Sequence, residues 1–236
     1  MIPKIIHYCW FGKGAIPENL QKCIDSWSRI MPDYEIMRWD EDNFDINSIP
    51  WTKQAYEAKK YAFVSDYVRM KALYEYGGIY FDTDVMALKS FDKFLDLKAF
   101  TGFEGDVRLT SAIIGAEKNF PLIKEFLQQY DGAEFRWISG KDNEPNVLVM
   151  ARVCDKYGLR HDNSFQIIKD MHIFPKTYFC PLDFYHNEDF SEDTHTIHYF
   201  DASWLDEAER ASVNKERSRL HKMINKFKLK VGKLLK

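Results

Sequence analysis

Residues 62–85 read AFVSDYVRMKALYEYGGIYFDTDV, and the fold is decided here. Ala55–Tyr76 reads as helix, with Tyr61–Tyr76 its stronger part, because Val64, Val68, Leu73 and Tyr76 can share one buried side. Gly77-Gly78 ends it, since glycine tolerates the backbone that a helix C-terminus needs. Ile79-Tyr80-Phe81 then makes a short buried strand leading to Asp82-Thr83-Asp84, and Val85–Leu88 continues it after a kink. Apolar residues up to Phe81 imply that the backbone enters from the core. The two acids then sit at a sheet rim, where open α/β sheets place ligands. Alternate residues of an extended segment point the same way, so both carboxylates can face one cation. Oxygen-only ligands favour Mg²⁺ or Mn²⁺, with diphosphate oxygens completing the shell. An isolated D-x-D is commonplace; the helix, the glycine pair and the apolar strand in front of it give this one meaning.

Working outward, Asp66 and Arg69 lie three residues apart and share a helix face. The ordinary reading is a surface ion pair worth under about 1 kcal/mol. The functional reading is a polar pocket, with an acid for hydroxyls beside an arginine for an acid or phosphate. Upstream, Ile2–Trp10 is an opening strand. Pro17–Met31 carries Leu20, Cys23, Ile24, Trp27 and Ile30 on one helical face and stops near Pro32. Tyr34–Trp39 is a second strand, followed by a polar connection over Asp40–Asp45. Downstream, strands are expected at Ala99–Phe103, Ser111–Gly115 and Thr196–Phe200, and helices at Pro121–Tyr130 and Asn146–Tyr157. His172–Pro175 and Tyr178–Pro181 read as extended pieces. Strands alternating with helices argue for an α/β sheet domain.

The chain has 236 residues, 45% hydrophobic and 29% charged, which excludes general disorder and suits one large domain or two small ones. No run of 18 apolar residues predicts a transmembrane helix, and the N-terminus lacks the features of a signal peptide. Cys9, Cys23, Cys154 and Cys180 form no CxxC pair, so reduced, buried thiols of a cytoplasmic protein are expected. The net charge of −3 hides an asymmetry: residues 215–236 hold nine basic residues and one acid (+8), leaving −11 on the remainder.

Three segments together, IPKIIHYCWFG (2–12), AFVSDYVRMKALYEYGGIYFDTDV (62–85) and IHYFDASW (197–204), resemble the DXD-containing glycosyltransferases of family 32. These include bacterial capsular-polysaccharide transferases and yeast mannosyltransferases, and the large clostridial glucosylating toxins share their core. The resemblance spans about residues 1–205, taken as the catalytic domain, with 206–236 as a basic helical tail. It implies a GT-A fold, a mixed α/β sheet flanked by helices whose DXD holds a divalent cation, Mn²⁺ or Mg²⁺, on a nucleotide-sugar diphosphate. By the same resemblance, Trp10 stacks on uracil, Asp66 and Arg69 grip the donor sugar, and Ser65 contacts the ribose. Asp82 lies near ribose, sugar and metal, and Asp84 binds the metal. Ser203 and Trp204 close over the diphosphate, and His198 is a third candidate metal ligand. The family is retaining, a route in which the leaving phosphate takes the acceptor proton, so no catalytic base is named. The expected reaction moves a hexose to a glycan or lipid-linked glycan in surface or capsular polysaccharide synthesis.

Other polar residues have plainer readings. Glu144 and Asn146 fall where relatives bind donor sugar or acceptor, but a helix N-terminal turn explains them equally. His7 reads as a satisfied core histidine, and His172, His186 and His195 show no ligand spacing. Tyr178, Phe179, Phe184 and Tyr185 read as core before acceptor wall. In the tail, Leu220, Ile224, Phe227, Val231 and Leu234 form one helical stripe opposite the lysines. Such a helix suits an anionic membrane surface at the inner face of the cell membrane. No nucleic-acid motif accompanies the charge. Two rivals stand: a haloacid-dehalogenase-type phosphohydrolase with Asp82 as nucleophile, and a non-catalytic peripheral membrane adaptor.

Overall fold

The computed structural model describes residues 1–105, 107–136, 144–183 and 187–201, together with Ala211 and Lys215. Ser203, Trp204, Phe184, Tyr185, His186 and the apolar stripe of the tail lie outside the described residues. In chain order the elements are β1 (Ile5–Cys9), α1 (Glu18–Ile30), β2 (Glu35–Trp39), α2 (Pro50–Glu57), α3 (Tyr61–Tyr76), β3 (Gly78–Phe81) and β4 (Val85–Ala87). There follow β5 (Ala99–Glu104), β6 (Arg108–Leu109), β7 (Ile113–Ala116), α4 (Pro121–Gln128) and α5 (Asn146–Asp155). The last are β8 (Gln166–Ile168), β9 (Met171–Phe174), α6 (Lys176–Phe179) and β10 (Thr196–His198). This is the expected α/β arrangement of a mixed sheet flanked by helices.

The main sheet runs in the order β2-β1-β3-β7-β5-β9-β8, with β6 paired to β5. β1 is parallel to β2 and β3, whereas β7 runs antiparallel to both β3 and β5. β5 therefore points the same way as β1 and β3, and all three strands finish on one rim. Every residue of β3 and β7 is buried, as strands covered on both faces must be. One face packs against α2, α3, α4 and α5 through Trp51, Val64, Leu73, Phe126 and Met150. The other packs against α1, Phe91, Phe94 and Phe179. Tyr80 belongs to the first core and Ile79 and Phe81 to the second, by the period-two alternation of a strand. All four cysteines are buried and free.

The structure departs from the sequence reading at several elements. The helix expected over 55–76 is two helices, broken where Lys59 takes φ +57°, and the first begins at Pro50, which fits a first helical turn because it lacks an N–H. Tyr76 is 43% exposed rather than buried with Val64, Val68 and Leu73. Val85–Ala87 does not prolong β3; it leaves the sheet and pairs antiparallel with β10. Tyr178 and Phe179 belong to the single turn α6, not to an extended piece. The edge strand β8 has no counterpart among the expected strands; its outward Ile167 blurs the alternation that would have marked it. Among the described residues, no helix is long and apolar enough to cross a membrane.

Candidate active site

The site forms on the rim where β3 ends. Asp82-Thr83-Asp84 is a turn rather than extended chain: the Val85 N–H donates to the Asp82 carbonyl at 3.0 Å, and the Asp82 N–H donates to the Ala112 carbonyl at 2.9 Å. The carboxylates converge all the same, through the turn and not through strand alternation. The reversal also launches β4, whose antiparallel register sets His198 of β10 opposite Val85. One donor atom each of Asp82, Asp84 and His198 lies within 4.8 Å of the others.

Asp84 is buried and held from both sides. Its Oδ1 lies 3.4 Å from His198 Nε2, and its Oδ2 accepts the Asp201 N–H at 2.8 Å. The Tyr199 N–H donates to the Asp84 carbonyl at 3.1 Å. Phe200, between them, has φ +53°, and its ring lies 4.0 Å from the imidazole. Burial works against the Asp84 charge, but His198 and these donors hold its carboxyl below the usual range. Burial likewise lowers the affinity of His198 for a proton, yet Asp84 lifts it well above an ordinary histidine. His198 Nδ1 is buried without a hydrogen-bond partner. Two hard carboxylates suit Mg²⁺ or Mn²⁺, and one imidazole shifts the preference toward Mn²⁺. The donor set therefore fits a divalent cation.

The Asp66–Arg69 pair is not a surface bridge. Arg69 is 4% exposed, and its Nη2 contacts Asp66 Oδ1 at 3.0 Å. Its Nη1 contacts Asp82 Oδ1 at 3.3 Å and donates to the Ser111 carbonyl at 2.8 Å and to Ser111 Oγ at 3.2 Å. Its Nε donates to the Ser65 carbonyl at 3.3 Å, and its guanidinium lies 4.6 Å from the Tyr80 ring centre. One buried cation thus joins the α3 acid to the first acid of the D-x-D. The Tyr80 hydroxyl donates to Asp82 Oδ1 at 2.9 Å, which orients that carboxylate further. Burial raises the Asp66 carboxyl to about 6; Arg69 opposes the rise and Asp82 adds to it.

The remaining candidates are dispersed around this centre. Trp10 is half-buried at the end of β1, and its Nε1 donates to the Gly14 carbonyl at 2.7 Å. Ser65 Oγ donates to the Tyr61 carbonyl, one helical turn back. Asn146 opens α5; its Nδ2 donates to the Asp66 carbonyl at 3.5 Å, and its Oδ1 is buried without a partner. Glu144 pairs instead with Arg152 at 2.9 Å. His7 is the core histidine expected: one ring nitrogen meets the Gly77 carbonyl at 2.8 Å, the other accepts from Trp39 Nε1 at 3.2 Å, and burial lowers its pKa to about 4. His195 packs on Phe91, Phe94 and Tyr178, with Phe179 fully buried beside them. His172 sits among Phe165 and Phe174.

Three residues of the site escaped the sequence reading. Tyr80 carried a signal, because it lies two residues before Asp82, in the strand that leads to it. Ser111 carried none, because it acts partly through its carbonyl. Glu104 ends β5 on the rim shared with Asp82; burial raises its carboxyl, and His198 and Thr110 oppose the rise.

Residues 17–101 match the family model for the glycosyltransferase sugar-binding region containing the DXD motif. That match covers 85 of the 236 residues and includes Asp66, Arg69, Asp82 and Asp84. It is 30% identical over 144 residues to inositol phosphoceramide mannosyltransferase 3 of Schizosaccharomyces pombe, covering 58% of this chain and 39% of that protein. It is 32% identical over 148 residues to an uncharacterized glycosyltransferase, L373, of Acanthamoeba polyphaga mimivirus, covering 56% of this chain and 59% of that one. The chain thus spans about two fifths of the length of the fission-yeast relative. Among solved structures it is similar to a glycosyltransferase involved in glycosylation of the major capsid of PBCV-1, with 11% identity, 92% of this chain and 100% of that chain covered, and a TM-score of 0.48.

Proposed function

We propose that this protein is a metal-dependent GT-A glycosyltransferase. It moves a hexose from a nucleotide-sugar to a glycan or lipid-linked glycan acceptor, with retention at the anomeric carbon. One observation carries the reading: the buried Arg69 joins Asp66 to the same Asp82 that converges with Asp84 and His198. A sugar-gripping acid and a cation-binding cluster are what a nucleotide-sugar, with its hydroxyls and its diphosphate, requires on adjacent faces.

In this reading Asp82, Asp84 and His198 hold Mn²⁺ or Mg²⁺, which when bound stabilises the charge that develops on the leaving diphosphate. Asp66 accepts hydrogen bonds from the sugar hydroxyls, and Asn146 offers its unpartnered Oδ1 beside it. Arg69 keeps Asp66 and Asp82 in fixed orientation, so its contribution is positioning. Trp10 stacks on the base, Ser65 faces the ribose, and Ser203 and Trp204 contact the diphosphate. The leaving phosphate oxygen takes the proton of the acceptor hydroxyl, so the chain supplies no dedicated base.

A UDP-sugar is the first candidate donor, by resemblance of the Trp10 segment. The fission-yeast relative named as an inositol phosphoceramide mannosyltransferase puts GDP-mannose beside it, and its name also supports an acceptor carried on a lipid. The basic residues 215–236 would hold the protein on an anionic membrane at the inner face of the cell membrane, where such acceptors are made into surface or capsular polysaccharide.

The test is a panel of UDP-galactose, UDP-glucose, UDP-N-acetylhexosamines and GDP-mannose with Mn²⁺, scored for binding and slow donor hydrolysis. Metal-dependent binding and nucleotide release are expected with one of them. No binding of any donor, or release of phosphate from a phosphorylated sugar instead, would replace the transferase with the non-catalytic or phosphohydrolase reading.

A further inference from the structure

We propose that Glu41 is a positioning residue for nucleotide binding, which fixes the loop that presents the Trp10 indole. The inference rests on the reading of Trp10 as the platform for the base. The Trp10 N–H donates to the Trp39 carbonyl at 2.9 Å, which extends the β1–β2 ladder by one bond. Beyond it the chain leaves the sheet, and Gly12 and Lys13 both take left-handed backbone, at φ +95° and +58°. Among the described contacts, the Gly12 N–H has one acceptor, Glu41 Oε1, at 2.6 Å. The same oxygen accepts from the Tyr56 hydroxyl at 2.8 Å.

The indole packs on the α1-side core, and its hydrogen bond ties it to this loop, because its Nε1 donates to the Gly14 carbonyl, two residues past the Glu41 contact. The loop also presses on α3: a Cβ at Gly12 would lie 2.4 Å from the Tyr61 ring, whose neighbour Tyr56 is 5.3 Å away between ring centres. The Tyr61 carbonyl in turn accepts from Ser65, one turn before Arg69. Glu41 therefore links the end of β1 to the two helices beside the sugar-gripping pair. Partial burial raises its carboxyl, but the Gly12 N–H and the Tyr56 hydroxyl outweigh that and keep it ionised. Bonds to an ionised acceptor are the stronger kind.

A glutamine at position 41 keeps an acceptor oxygen for Gly12 and Tyr56, whereas an alanine removes it. The experiment compares wild type, Glu41→Ala, Glu41→Gln and Tyr56→Phe. It measures calorimetric binding of UDP and of GDP with Mn²⁺, and the steady-state hydrolysis of whichever nucleotide-sugar the wild type accepts. Glu41→Ala is expected to weaken nucleotide binding about tenfold or more, as loss of a charge-assisted bond implies. The donor KM should rise in parallel while kcat changes less than about threefold, the pattern of lost uniform binding. Glu41→Gln should recover most of that loss, and Tyr56→Phe should fall between. Wild-type affinity in Glu41→Ala and Tyr56→Phe overturns the proposal and leaves the transferase reading standing. So does a fall in kcat with melting temperature that glutamine does not rescue. Failure of the wild type to bind either nucleotide overturns both.

Discussion

Asp66→Asn should make the protein more stable at neutral pH while lowering its activity. The Asp66 carboxyl releases its proton near 6 in the folded chain, because burial disfavours its charge. An unfolded aspartate does so near 3.9, so the native state binds this proton more tightly by about 3 kcal/mol, at roughly 1.4 kcal/mol per pH unit. A raised folded value means that the contribution is present in full below about pH 4 and is lost as pH rises through about 6. The side chain is 13% exposed and paired with Arg69, so the figure already includes the help of the arginine. Asparagine keeps the shape of the protonated acid and never ionises. The stability of Asp66→Asn relative to wild type should therefore be constant below about pH 4, climb between 4 and 6, and level off near 3 kcal/mol above. Urea unfolding of both proteins in EDTA, at half-unit steps from pH 4 to 8, measures that difference free of bound metal. A flat difference, or one that falls with pH, would refute the burial argument. Donor hydrolysis in the same variant should drop at least about tenfold, since the amide is a poorer acceptor for sugar hydroxyls.

Asp84→Asn is expected to lose metal-dependent turnover by two or more orders of magnitude, roughly 3 kcal/mol of transition-state stabilisation, with an unchanged circular dichroism spectrum. His198→Ala should raise the Mn²⁺ concentration needed for half-activation about tenfold or more while leaving some turnover at saturating metal, which a metal titration reads directly. Gly115→Ala should cost roughly 1–3 kcal/mol of stability in urea, because a Cβ there would lie 2.1 Å from the Phe100 ring, and Phe100→Leu in the same chain should return part of the loss. Deleting residues 215–236 should abolish sedimentation with anionic liposomes and spare donor hydrolysis; undiminished sedimentation would remove the membrane role from the tail.

The stretch from Tyr61 to Asp84 was legible because local signals agree there. A helical face, a glycine pair that accepts φ +70° and +108°, and an apolar strand all name the same turn onto the rim. The break before it was not legible, since Lys59 has no compositional mark for the left-handed backbone it adopts. The burial of Arg69 was hidden for a different reason. An i,i+3 acid–arginine pair looks the same on a solvated face as in a core, and the Ser111 carbonyl that receives the guanidinium comes from a loop 42 residues away. His198 carried no local ligand spacing; it entered through resemblance, and its partner strand is β4, more than 100 residues earlier. Pairings of that separation leave no local periodicity to read. The same holds for Glu41, which lies in a polar connection whose acids all look solvated until Gly12 and Tyr56 are found upon one of them.

Charge balance gives this site an order of assembly. Asp66 and Asp82 both pair with one permanent cation, Arg69, and Asp84 pairs with His198, whose imidazolium offsets a charge only while it keeps its proton. A free diphosphate approaching this rim meets net negative charge at short range, so its binding alone is unfavourable. A dication reverses the sign of that field. It is also the partner that two convergent carboxylates and a buried imidazole are shaped to hold. Under the proposed function, a nucleotide-sugar is therefore best received as its metal complex. Arg69 cannot substitute for the metal, because its Nη1 and Nη2 are already engaged by Ser111, Asp82 and Asp66. The arginine is committed to holding the acids, and that commitment leaves the leaving-group charge to be met from outside the chain.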